Sequence, residues 1–139
     1  CVREIVNPNN EEKQKPEQPP LNIYFDIETQ PNKHGKHIPY LCCYVDDNDF
    51  QKSFEGPRCL EDMLKHLAMK HGGQNVKKAY RLNLFAHNMT FDGSFLLRYL
   101  LNLQVLEKDG KYVNVKGNFC HWESRKWITL VIKDSWRIM

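Results

Sequence analysis

The chain has 139 residues, 20 Lys and Arg against 17 Asp and Glu for a net charge of +3, and 41% hydrophobic residues. That length suits one domain with a sizeable core, and with a mean hydropathy of −0.65 no apolar run approaches the ~20 residues of a bilayer-spanning helix. A pI of about 8.6 stays below the range, above ~9, that marks nucleic-acid binding on charge alone.

No signal-peptide pattern opens the sequence. Cys1, Cys42, Cys43, Cys59 and Cys120 are odd in number and lack any CxxC or Cys/His metal spacing, so they read as reduced, mostly buried thiols of an intracellular protein. Residues 1–20 are polar and end in Pro16, Pro19 and Pro20, the composition of a disordered linker or tail. Because the chain starts at Cys1 and stops at Met139 inside a strand-like stretch, it reads as a fragment of a longer reading frame.

Leu21 to Thr29 is the first strand. Residues two apart on a strand share a face, which puts Leu21, Ile23, Phe25 and Ile27 on one side and Tyr24, Asp26 and Glu28 on the other. Two carboxylates side by side repel unless a cation or a shared proton relieves them. Oxygen ligands of this kind suit Mg²⁺ or Mn²⁺ rather than zinc; a solvated acidic strand end is the plainer reading of the pair alone. Tyr40–Val45 and Phe50–Phe54 flank Asp46-Asp47-Asn48-Asp49 as a hairpin, so the first three strands form a meander. Pro57 to His71 is a helix. Leu60, Met63, Leu64, Leu67 and Ala68 form its apolar stripe, Glu61 and Asp62 sit in its first turn, and Gly72-Gly73 is its stop.

Tyr80–Phe85 follows as a strand and Phe91–Leu103 as a second helix with Phe95, Tyr99 and Leu103 on one stripe. Val105–Lys108 and Lys111–Val115 pair across Asp109-Gly110, and Phe119–Trp122 and Trp127–Lys133 supply the last strands. From Lys108 to Arg137 cations alternate with Tyr112, Phe119, Trp122, Trp127 and Trp136. The mixture fits a surface for single strands and an amphipathic hairpin equally well. The order of elements describes an α/β domain with a mixed sheet flanked by helices, whose sites form where loops leave the carboxyl ends of strands.

Asp92 falls at such an end, at a helix N-terminus that favours a carboxylate. If its strand lies parallel to the first, Asp92 approaches Asp26 and Glu28. Together, Asp26-Ile27-Glu28-Thr29 and His87-Asn88-Met89-Thr90-Phe91-Asp92-Gly93 resemble the Exo I and Exo II motifs of the proofreading 3′-5′ exonuclease of family B DNA polymerases. The second motif takes the form found in the protein-primed branch of phages, adenoviruses, linear plasmids and Polinton-type elements. Asp134-Ser135-Trp136-Arg137-Ile138-Met139 is similar to a further motif of that branch, with Trp136 in place of Leu.

The resemblance covers residues 21–139 and implies a partial RNase H-like exonuclease domain of a DNA-directed DNA polymerase. It implies two Mg²⁺ or Mn²⁺ ions held by Asp26, Glu28 and Asp92, and a single-stranded DNA 3′ end contacted by Thr29, His87, Asn88, Phe91, Phe95 and Ser135. For Phe95, core packing is the alternative. Primer-template DNA and a terminal protein primer are the implied partners, with no membrane. The nucleus or mitochondrion is the implied compartment if the source is a eukaryotic element. The third exonuclease motif, Tyr-x-x-x-Asp, and the polymerase motifs have no match in these residues, so the isolated chain is expected to be inactive or weak. A remnant that binds single-stranded DNA without cutting it is the competing reading, and another RNase H-like nuclease or integrase is a third. Asp134 as a substitute acid competes with an Asx-type turn.

Overall fold

The computed structural model describes residues 19–86, 92–108 and 113–134, with side chains at all of these but 92–94, 106–108, 113 and 134. Seven strands form one mixed sheet: β1 (Leu21–Pro31), β2 (His37–Asp46), β3 (Gln51–Glu55), β4 (Tyr80–Ala86), β5 (Leu101–Lys108), β6 (Val113–His121) and β7 (Lys126–Asp134), in the order β3-β2-β1-β4-β7-β6-β5. Among the described residues the helices are α1 (Cys59–His71) and α2 (Asp92–Leu97), with a 3-10 turn at Val76–Lys78. β1, β2 and β3 are the antiparallel meander read from the sequence. α1 then crosses over to β4, which lies parallel to β1, and β7 lies parallel to β4. The 46–49 turn closes as an Asx turn: Asp46 Oδ1 accepts from the amides of Asn48 (2.8 Å) and Phe50 (3.1 Å).

One face of the sheet is the core side. Ile23, Phe25 and Ile27 of β1, Leu82, Leu84 and Ala86 of β4, and Ile128, Leu130 and Ile132 of β7 pack under Leu60, Met63, Leu64, Leu67 and Ala68 of α1. The apolar stripe of α1 is thus buried as its spacing requires. α1 starts at Cys59 rather than Pro57, and its stop works differently from the left-handed cap expected of glycine. Gly72 has φ −68°, and its missing Cβ is what matters, since a Cβ there would run into the Ala68 carbonyl oxygen. Among the described cysteines, Cys42, Cys59 and Cys120 are buried and Cys43 is exposed, all as free thiols. No helix among the described residues is long and apolar enough to cross a membrane.

The second helix is shorter than its stripe suggested. α2 ends at Leu97, the turn closes with Tyr99 N–H to Leu96 O (3.0 Å) and Leu100 N–H to Leu97 O (3.1 Å), and β5 begins at Leu101. Leu96 and Leu100, not Tyr99 and Leu103, are the buried side chains. Two features of β5 and β6 explain the switch. Asn102 takes φ +56°, a left-handed conformation that ends a helix and that Asn tolerates. Gly117 of β6 leaves the space into which Leu100 and Leu103 fold, since a Cβ there would sit 2.9 Å from Leu100 Cβ and 3.1 Å from Leu103 Cδ2. Expected as two separate strands, 111–115 and 119–122 are largely one, β6, paired with β7 from Val113↔Asp134 to His121↔Lys126. Most of the proposed tail and the Asp109-Gly110 turn lie outside the described residues.

Candidate functional site

On the face away from α1, β1 presents Tyr24, Asp26 and Glu28, as alternation requires: Tyr24 and Glu28 are exposed and Asp26 is half-buried. The β1–β4 pairing ends at Phe25↔Ala86, so Asp26 is the first residue of β1 to project past the end of β4. β7 reaches the same level, because Phe85 pairs with Lys133 and β7 ends at Asp134. The pair therefore stands where two parallel strands finish. A register shift between Glu28 and Thr29 then turns the end of β1, and Thr29 Oγ1 lies 3.3 Å from His37 Nδ1.

Neither carboxylate forms an ion pair with a described Lys, Arg or His. Across the ladder from Asp26 is Cys43, whose thiol is pushed above its ordinary value by burial and then by the charges of Asp26 and Glu28. The paired donors at this point are the carboxylate oxygens of Asp26 and Glu28. That set suits a hard divalent cation. Among the described residues no three His, Cys, Asp or Glu group to hold a metal; the side chain of Asp92 is not among them, although its backbone opens α2. His87, Asn88, Phe91 and Ser135 lie outside the described residues. Phe95 is half-buried and packs against the core cluster.

Beside Asp26 the uncovered face forms an open groove of about 700 Å³ whose lining includes Tyr24, Cys43, Val45, Ser53 and Phe85. Tyr24, 44% exposed, stacks on Phe85 across the β1–β4 ladder with ring centroids 5.3 Å apart at 18°, and Lys133 Nζ lies 5.9 Å from the Phe85 ring. An aromatic shelf with a cation beside it, next to paired carboxylates, can carry nucleobases and their phosphates. The sequence offers Lys133 only as one cation of the 108–137 run and gives Phe85 no site role, because their relation to Tyr24 exists only once β4 lies between β1 and β7. Among the described residues of the 108–137 run, Phe119 is core, Lys133 lies beside the Phe85 ring, and Trp122, 71% exposed, stands at the β6–β7 turn with its ring edge-on to Trp127 at 6.0 Å.

No protein-family model matches the chain. It is 33% identical over 92 residues to the DNA polymerase of Streptococcus phage Cp-1, a match covering 59% of this chain and 15% of that polymerase. Among solved structures, phi29 DNA polymerase, in a ternary complex with primer-template DNA and incoming nucleotide substrates, superposes with a TM-score of 0.54 and 16% identity. That superposition covers 84% of this chain and 21% of the polymerase, so the chain spans only a small part of either protein. It is similar in sequence to part of a phage DNA polymerase, and its seven-stranded mixed sheet shares the fold of part of phi29 DNA polymerase.

Proposed function

We propose that these residues form part of the RNase H-like 3′-5′ exonuclease unit of a protein-primed, family B DNA-directed DNA polymerase, which copies DNA and trims mismatched 3′ ends. The observation that carries the reading is the placement of Asp26 and Glu28 together on the face away from α1, at the point where β1 passes the end of parallel β4. From there the chain leads through Asn88 and Phe91 to Asp92 at the start of α2. The similarity to two phage DNA polymerases supports the same reading.

In this reading Asp26, Glu28 and Asp92 hold two Mg²⁺ or Mn²⁺ ions. When bound, such ions activate water for attack on the terminal phosphodiester and stabilise the departing 3′-oxygen. The chain's own residues supply position. Tyr24 and Phe85 offer ring faces to the bases of the single-stranded 3′ end, and Lys133 offers a cation to its phosphates. Thr29, His87, Asn88, Phe91, Phe95 and Ser135 are the further contacts to that strand that the resemblance implies. A terminal protein as primer belongs to the same proposal and rests on the resemblance alone.

The test uses the polymerase that contains this chain, extended through its natural downstream sequence, with 3′-labelled single-stranded DNA and Mn²⁺. Trimming is expected, and Asp26→Ala with Glu28→Ala should abolish it while primer extension continues. An extended protein that binds the strand but never shortens it, or trimming that survives the double substitution, would refute the proposal.

A further inference from the structure

The contact between α1 and the β2–β3 hairpin uses none of the residues assigned above. Tyr44 of β2 and His66 of α1 meet through Oη and Nε2 at 2.8 Å. The His66 ring stacks on Phe50 (5.8 Å, 11°) and is tilted against Phe54 at 5.5 Å. The charged groups that act on His66 are all cationic or can become so: Lys52 from β3, and Lys70 and His71 from α1. Lys70 Nζ lies 3.1 Å from the centroid of Phe50 and Lys52 Nζ 5.7 Å from that of Phe54. A neutral imidazole fits here, its Nε2 lone pair accepting from the Tyr44 hydroxyl. Once protonated, Nε2 loses that lone pair and the ring faces two lysines.

The same two elements each carry a buried polar atom without a partner. Asp46 follows Tyr44 by two residues on the same face of β2 and is 3% exposed. Its Oδ1 serves the hairpin turn, but its Oδ2 is buried without a partner. His71 of α1, whose ring lies 5.9 Å from that of Tyr80 in β4, has its Nε2 buried without a partner. Burial and Lys70 disfavour its charged form, and the Asp46 carboxylate favours it. An acceptor and a nitrogen able to carry a proton are thus both buried and unsatisfied, an arrangement that disfavours the neutral setting.

We propose that α1 and the β2–β3 hairpin form a proton-operated contact with two settings, in which acidification exchanges the Tyr44–His66 hydrogen bond for an ion pair between His71 and Asp46. One proton binds His66 Nε2 and removes its acceptor. A second binds His71 Nε2, which then donates to Asp46 Oδ2. Both histidines are held below the ordinary 6.5, so the neutral setting is fully present above pH 6.5 and is lost as pH falls through their folded values. The hairpin that moves carries Cys43, the cross-strand neighbour of Asp26.

The histidine side chains and the Asp46 carboxyl carbon are followed by NMR from pH 8 to 5 on the 139-residue chain. In the wild type the Asp46 resonance should move in step with the titration of His71. Asp46→Asn, which keeps the Oδ1 acceptor of the turn, should lower the His71 midpoint by roughly half a unit or more, and Tyr44→Phe should raise that of His66. An Asp46 resonance that stays flat through the His71 titration, or a His71 midpoint unchanged by Asp46→Asn, overturns the proposal. Should Asp46→Asn fail to fold, the wild-type Asp46 resonance alone decides.

Discussion

Cys43 stands directly across the β1–β2 ladder from Asp26, and after burial the charges of Asp26 and Glu28 are what hold its thiol above the ordinary value of 9.0. Cys43 is therefore a built-in reporter of the field around the two carboxylates. Removing those charges should lower its pKa, although burial, the larger cause, remains. With Asp26→Asn and Glu28→Gln together, alkylation of Cys43 at pH 8 should accelerate roughly two- to tenfold, since each unit of pKa is a tenfold change in thiolate. Peptide mass spectrometry after timed labelling separates Cys43 from Cys1. Unchanged labelling would mean that the carboxylates do not set the field.

Tyr24 is placed to act as a stacking surface. If the proposed function holds, Tyr24→Ala in the chain extended through its natural downstream sequence should weaken single-stranded oligonucleotide binding by about 1–3 kcal/mol, the usual worth of one base–aromatic stack, whereas Trp122→Ala should leave it unchanged. Fluorescence anisotropy at fixed salt measures both. The reverse ranking would move the strand to the β6–β7 turn.

Leu84 lies in β4 at the centre of the core face and is fully buried. Leu84→Ala should destabilise the chain by about 2–5 kcal/mol, read as a lowered urea midpoint with little change in slope.

Gly117 is required by close approach. Gly117→Ala should cost about 1–3 kcal/mol through overpacking. Truncating Leu103 should not restore the loss, because the tightest contact, at 2.9 Å, includes Leu100 Cβ next to the backbone. Denaturation of the single and double variants checks this.

Tyr44→Phe removes one half-buried hydrogen bond, worth about 0.5–1.5 kcal/mol. The loss should appear at pH 8, where His66 is neutral and accepts, and should shrink at pH 5 as His66 takes up a proton. His66 is held below 6.5, so its contribution exists above that pH and fades below it. An equal loss at both pH values would show that the hydrogen bond is insensitive to the histidine's charge.

What the sequence determined by itself was local and periodic. The alternation of Leu21 to Glu28 put both carboxylates on the face opposite Ile23, Phe25 and Ile27, and the 60-63-64-67-68 stripe of α1 assigned its buried side, because a backbone period translates directly into a direction for each side chain. Tertiary structure alone decided the rest. Phe95, Tyr99 and Leu103 had helical spacing, yet the helix stops at Leu97, and Gly117 of β6 opens a space that Leu100, just before β5, and Leu103, within it, fill. Likewise the Tyr24–Phe85 shelf and the meeting of Asp26 with Cys43 depend on strand order and register. Those are properties of pairing between distant segments, and packing selects them only when the whole sheet assembles.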